Sequence, residues 1–238
     1  LALGDSLATG TNGQGTPTTP YPQRLHQRLT AQFPELTLRS LAKDGETTTS
    51  LLSGGQLAEA EAFIASERAA GRRVGLVTLG IGGNDMVSIL LQGADPQTTL
   101  NSFTANIGMI LDRLLAAVTV NGERQADLLL LDSYNPYPGL VVPGRGNLAD
   151  IWIPQFNAAL RQAAAERNLP VANVFQTFTG RESALIFVQP QLCQQFQNIT
   201  VTCDYHPTNE GQQVLADELY NVSGYSPRRF VFLPLVAQ

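Results

Sequence analysis

Continuous apolar runs of strand length recur along the chain at residues 1–3, 36–42, 74–79, 128–131 and 171–175, and none alternates cleanly between apolar and polar positions. Continuous runs suit strands covered on both faces, whereas alternation marks a strand with one wet face. Stretches of helical period lie between them. Tyr21, Leu25, Leu29 and Phe33 repeat at four-residue steps, and residues 57–70 are rich in Ala and Glu. Residues 96–118 place Leu100, Phe103, Ile107, Ile110, Leu111 and Leu114 on one side, with Asp95 positioned to cap the helix. Further helices are predicted over residues 153–167 and from near Thr208, which leads into Val214, Leu215 and Leu219. Five strands joined by helices predict an α/β fold, a three-layer α/β/α sandwich around a five-stranded, doubly wound parallel sheet. No internal repeat or low-complexity stretch divides the chain, so residues 1–224 read as one domain. Residues 225–238 form an apolar tail whose default is to pack on that domain, the alternatives being another subunit or a surface.

Composition narrows the function classes. At 238 residues and 43% hydrophobic content the chain can bury a full core. Its 15 basic against 20 acidic residues give a net charge of -5, no field for gripping a phosphate backbone, so nucleic acid is not expected as a partner. No apolar run approaches the length of a membrane span. Two histidines and two cysteines are too few for a structural zinc site, and neither a metal nor a cofactor is expected. Cys193 and Cys203, with nine residues between them, suit a disulfide rather than redox or zinc chemistry, and two free thiols are the alternative. A bridge implies an oxidising, extracellular or exported setting. Leu1 opens inside an apolar run with no charged segment or Met before it, so any signal peptide is expected to have been removed or never included.

In a doubly wound sheet, ligands sit beyond the carboxyl ends of the strands, which directs attention to the loops that follow them. The first such loop is Gly4-Asp5-Ser6-Leu7, where a serine just past a strand can present its hydroxyl at the sheet rim with its own N–H nearby. The second contains Gly45, whose bare backbone N–H can approach a substrate oxygen. The third, Gly80-Ile81-Gly82-Gly83-Asn84-Asp85, offers the Asn84 amide as a neutral donor. Far along the chain, His206 stands just before a predicted helix with Asp204 two residues earlier, while His26 falls among Gln23, Arg24, Gln27 and Arg28, where a solvated surface role is expected. Each loop taken alone is an ordinary turn or helix cap. Together they supply a serine nucleophile, a histidine base, an acid to orient it, and donors for a developing oxyanion.

These residues resemble the GDSL family of esterases and lipases, the SGNH hydrolases, over nearly the whole chain, from Gly4-Asp5-Ser6-Leu7 through Gly45 and Gly82-Gly83-Asn84-Asp85 to His206. The resemblance implies a flavodoxin-like sheet, Ser6 as nucleophile, His206 as base, and the Ser6 N–H, Gly45 N–H and Asn84 side chain as oxyanion donors. Two positions depart from the family pattern. Ser40 stands where an Asn is common, five residues before Gly45, and Cys203 occupies the usual place of the acid, three before the histidine. Asp204 is the natural substitute, and a Ser–His dyad is the alternative.

The expected activity is serine ester hydrolysis through an acyl-enzyme on small or lipid acyl esters. A carbohydrate O-acetyl esterase is the alternative within the same chemistry, and a non-catalytic carbohydrate- or acyl-binding module the alternative outside it. A phosphate-handling protein using the Gly10 to Gly15 loop is disfavoured, because that loop has no P-loop lysine. Gly83, Tyr134, Tyr137 and Trp152 are candidate substrate contacts. Aromatic residues after the fourth strand suit an acyl or aryl group, and they suit packing beneath a long loop equally well.

Overall fold

The computed structural model describes residues 1–139, 146–187 and 204–225. The apolar runs form strands β1 (Ala2–Gly4), β2 (Leu76–Gly80), β5 (Asp127–Leu131) and β6 (Val171–Ala172), all parallel, in the order β1-β2-β5-β6. Leu128, Leu129, Leu130 and Leu131 are all buried, as a strand covered on both faces requires. A two-stranded hairpin, β3 (Thr119–Val120) and β4 (Glu123–Arg124), leads into β5.

The sheet therefore has four strands where five were expected. Residues 36–42 run beside β1 without forming a regular strand. They give Ala2 N–H to Arg39 O at 2.8 Å, Leu41 N–H to Ala2 O at 2.9 Å and Lys43 N–H to Gly4 O at 3.0 Å, with a single bridge between Ala2 and Ser40. Only the Ala2–Ser40 bridge forms on that edge, so the segment lies beside β1 without counting as a strand.

Ten helices are described: α1 (Ser6–Thr9), α2 (Tyr21–Thr30), α3 (Thr48–Ser53), α4 (Gln56–Ala69), α5 (Gly83–Gln92), α6 (Pro96–Val118), α7 (Leu148–Ala165), α8 (Val174–Phe178), α9 (Glu182–Leu185) and α10 (Asn209–Val222). They fall into two packed groups, α3 to α7 in one and α1, α2, α8, α9 and α10 in the other, with the sheet between them. This is the three-layer α/β/α arrangement. Asp95 caps α6 as predicted, accepting the Thr98 N–H at 2.8 Å, and Thr208 caps α10 through the Gly211 N–H at 3.1 Å.

His26 is half-buried rather than solvated, with Nε2 2.9 Å from Leu36 O. The geometry of α2 explains this: His26 directly follows Leu25 at the edge of the buried stripe, where the incoming chain crosses. Among the described residues no helix is long and apolar enough to cross a membrane. Cys193, Cys203 and the tail beyond Tyr225 lie outside the described residues.

Candidate active site

β1 delivers the serine. Gly4, its last residue, adopts φ +140°, and a Cβ there would lie 2.2 Å from the Gly80 oxygen on β2, so only glycine lets the two strands close at this point. Asp5 then caps α1, its Oδ1 accepting the Leu7 N–H at 3.0 Å. Ser6 follows as the first helical residue, which leaves its N–H without an intrahelical partner. The Gln56 side chain, fully buried, grips the same strand end: Oε1 accepts the Gly4 N–H at 2.8 Å, and Nε2 donates to Gly4 O at 3.0 Å and to Glu46 Oε2 at 2.7 Å.

The chain returns to this point some two hundred residues later. His206 Nε2 is 2.8 Å from Ser6 Oγ, and its Nδ1 is 2.5 Å from Asp204 Oδ1, which also accepts the His206 backbone N–H at 3.0 Å. The other carboxylate oxygen, Oδ2, accepts the Gly13 N–H at 2.8 Å. Burial pushes the Asp204 carboxyl up, but the His206 side chain and backbone, with Gly13, outweigh it and hold the group below its ordinary value. An ionised carboxylate only accepts, so Nδ1 carries the imidazole proton and Nε2 is left to accept from the Ser6 hydroxyl. The Tyr205 ring stacks on the imidazole at 4.5 Å.

Two further segments carry the other candidate donors. Gly45 turns the chain at φ +74°, with the Glu46 N–H reaching back to Lys43 O at 3.2 Å. A Cβ at Gly45 would meet no protein atom within 4 Å, so the backbone angle, not crowding within the protein, calls for glycine. Asn84, near the start of α5, donates from Nδ2 to Glu46 O at 2.9 Å. That bond ties the Asn84 amide to the Gly45 turn and leaves its second N–H available. Asp85, next along, is buried and accepts Thr48 N–H at 3.0 Å and Thr48 Oγ1–H at 2.6 Å, which fixes α3 against α5.

A cavity of about 50 Å³ opens beside Ser6. Gly83 and Tyr134 line it; Tyr137 and Trp152 are not among its lining residues, and both pack against the hydrophobic core. A larger cavity of about 290 Å³ lies at the opposite ends of the strands, between Leu1, His26, Leu36 and Leu76, and holds none of these groups. Among the described residues no group of three or more His, Cys, Asp or Glu side chains could hold a metal ion.

Two participants escape the sequence reading. Gly13 belongs to the Gly10 to Gly15 loop, whose glycines were a visible signal of close backbone approach to some partner. Gln56 opens the Ala- and Glu-rich α4 and carries no local signal of its role.

The arrangement is a hydroxyl, an imidazole and a carboxylate in hydrogen-bonded sequence, with the Asn84 amide lining the same cavity as Ser6 and bonded to the residue after Gly45. Such a set can transfer an acyl group. The model of the GDSL-like Lipase/Acylhydrolase family matches residues 2–214. The spore germination lipase LipC of Bacillus licheniformis is 25% identical over 233 residues, spanning 94% of this chain and 95% of that protein. Among solved structures, an acetylxylan esterase from Geobacillus stearothermophilus is similar with a TM-score of 0.62 at 18% identity, over 94% of this chain and 93% of that one. A member of the lipolytic protein G-D-S-L family from Veillonella parvula is similar with a TM-score of 0.56 at 16% identity, over 94% and 97% of the two chains.

Proposed function

The chain belongs to the GDSL-like lipase/acylhydrolase family, and from that premise we propose that it hydrolyses carboxylic esters of small or lipid acyl groups through an acyl-enzyme on Ser6. The observation that carries this reading is the continuous hydrogen-bonded chain Ser6–His206–Asp204. Ser6 Oγ attacks the ester carbonyl carbon while its proton passes to His206 Nε2. The negative oxygen is met by the Ser6 N–H, the Gly45 N–H and the free N–H of Asn84. Collapse of the tetrahedral intermediate breaks the bond to the alcohol, which leaves with the proton held on Nε2. Water then attacks the acyl-enzyme, again giving its proton to Nε2, and Ser6 is released as the carboxylic acid departs. Asp204 keeps the Nδ1–H tautomer and stabilises the imidazolium. O-acetyl groups on carbohydrate fall within this chemistry.

The test is hydrolysis of p-nitrophenyl esters by the natural chain and by Ser6→Ala, with covalent labelling by an alkyl phosphonate and peptide mapping. Turnover lost in the variant, with the label on Ser6, is the expected result. A folded protein that turns over no ester and takes no label would return the chain to the non-catalytic binding class.

A further inference from the structure

The cavity beside Ser6 lies between α5, α7 and the loop after β5. Ser6, Gly83 and Asn84 line it where the nucleophile stands, and Met86, Val87, Leu90 and Ile153 give it apolar walls. We propose that it is an acyl slot limited to short chains, acetyl to about butyryl, and that Leu90 sets the limit; this rests on the ester hydrolase reading above.

Direction comes first. In an ester bound for attack, three substituents leave the carbonyl carbon: the oxygen that becomes anionic, the leaving alkoxy oxygen and the acyl chain. The anionic oxygen belongs with the Asn84 and Gly45 donors. The alkoxy oxygen must reach His206 Nε2, which protonates it. His206 is not among the residues lining the cavity, whereas Ser6 and Asn84 both are. The remaining substituent, the acyl chain, is the one that points in.

Capacity comes next. A water molecule needs roughly 10–15 Å³ of such space, so about 50 Å³ holds on the order of four small groups. A methyl or a propyl group fits, and a heptyl chain does not. Gly83, Val87 and Leu90 lie on one face of α5, and Leu90 stands roughly 9 Å further along the helix axis than Asn84. It therefore sits at the end remote from the reacting carbon.

The walls are also fixed. Leu90, Met86, Ile153 and Tyr134 are all buried. The Tyr134 hydroxyl donates to Tyr205 O at 2.6 Å, and its ring stacks on Phe178 at 4.5 Å. Asn157 on α7 takes the Ser133 N–H at 2.9 Å and donates to Ser133 O at 2.8 Å, which locks the loop after β5 to the helix that carries Ile153. A longer chain would have to displace packed, hydrogen-bonded elements, and interiors of this density resist such displacement.

The experiment measures kcat/KM for p-nitrophenyl acetate, butyrate, hexanoate, octanoate and decanoate, each below its micelle concentration, on the natural chain, Leu90→Ala and Leu90→Phe, with phosphonate titration of Ser6 in each. The natural chain should lose about a hundredfold or more between butyrate and decanoate, since a single misplaced methylene is worth roughly tenfold or more. Leu90→Ala should raise the octanoate-to-acetate ratio at least about tenfold, and Leu90→Phe should lower the butyrate-to-acetate ratio by a similar factor. Decanoate cleaved as fast as butyrate by the natural chain overturns the slot. So do folded, labelled Leu90 variants with an unchanged chain-length profile. If Leu90→Ala fails to fold, the natural profile and Leu90→Phe decide. Absence of both turnover and Ser6 labelling across the whole series strikes the ester hydrolase reading instead, so the two failures are distinct.

Discussion

Asn84 is held by one of its two N–H groups, and on the proposed mechanism it acts with the other. Its bond to Glu46 O aims the amide, so Asn84→Ala removes both the aim and the donor. Loss of one oxyanion donor typically costs about 3 kcal/mol in the barrier, which predicts a kcat lower by about a hundredfold or more with KM much less affected. Steady-state kinetics on one ester series measure it, and an unchanged kcat would remove Asn84 from the oxyanion assignment. Ser6, Gly45, Asn84 and His206 were singled out in the sequence because each follows a predicted strand or precedes a predicted helix, where chemistry is concentrated. Asp204 was visible as an acid two residues before that histidine, one place off the usual spacing, and the structure brings its carboxylate to His206 Nδ1. Gly13 and Gln56 were not assigned, because they act through contacts with residues 191 and 52 positions away, and no local pattern encodes a partner that distant.

Single elements depend on equally distant fastenings. Gln56 joins the start of α4 to the end of β1 and to Glu46, all in the interior. Gln56→Leu keeps similar bulk but leaves the Gly4 N–H and a Glu46 carboxylate oxygen buried without these partners. Unpaired buried groups cost about 1–3 kcal/mol each, so urea unfolding should show a loss of about 3 kcal/mol or more, with reduced activity because Ser6 hangs from that strand end. A loss within experimental error would mean that water replaces the clamp. Helix periods and caps were legible where tertiary structure agrees with them, as in α6, whose span matches its predicted one. They were misleading in α7. The predicted start at 153 comes late, because the helix begins at Leu148 behind an Asn147 cap and runs through Pro154. β6 is likewise shorter than its apolar run, because Val174 and Phe175 already belong to α8. Hydrophobicity alone does not distinguish a buried strand from the buried first turn of a helix.

For the molecule as a whole, Asp5 beside the nucleophile couples stability to pH. Burial pushes its carboxyl up to about 7, the Leu7 N–H and His206 pull against that rise, and Asp85 adds to it. The unfolded chain ionises this group near 3.8, the folded chain only near 7. Between those values the unfolded state holds fewer protons, so the Asp5 contribution favours folding least as pH rises and levels off above about 7. At about 1.4 kcal/mol per pKa unit the change across the window is on the order of 4 kcal/mol. Asp5→Asn keeps an acceptor for the Leu7 N–H and removes the titration. Stability of the natural chain relative to Asp5→Asn should therefore fall from pH 4 to pH 7 in urea unfolding. Parallel stability profiles would show that Asp5 is ionised in the folded protein.

The bond between Ser6 and His206 spans 200 positions of sequence, and Gly13 reaches Asp204 across 191. Hydrolytic competence on this reading is therefore a property that biosynthesis confers late. A nascent chain carries its nucleophile 200 residues ahead of its base and has no base until translation has passed residue 206. It then has no working pair until α10 docks beside α2, where Gln212 bonds to Leu7 O and the Tyr21 N–H. Any polypeptide released short of that point is inert as well as incompletely folded, so quality control of the fold and silencing of the chemistry are one event.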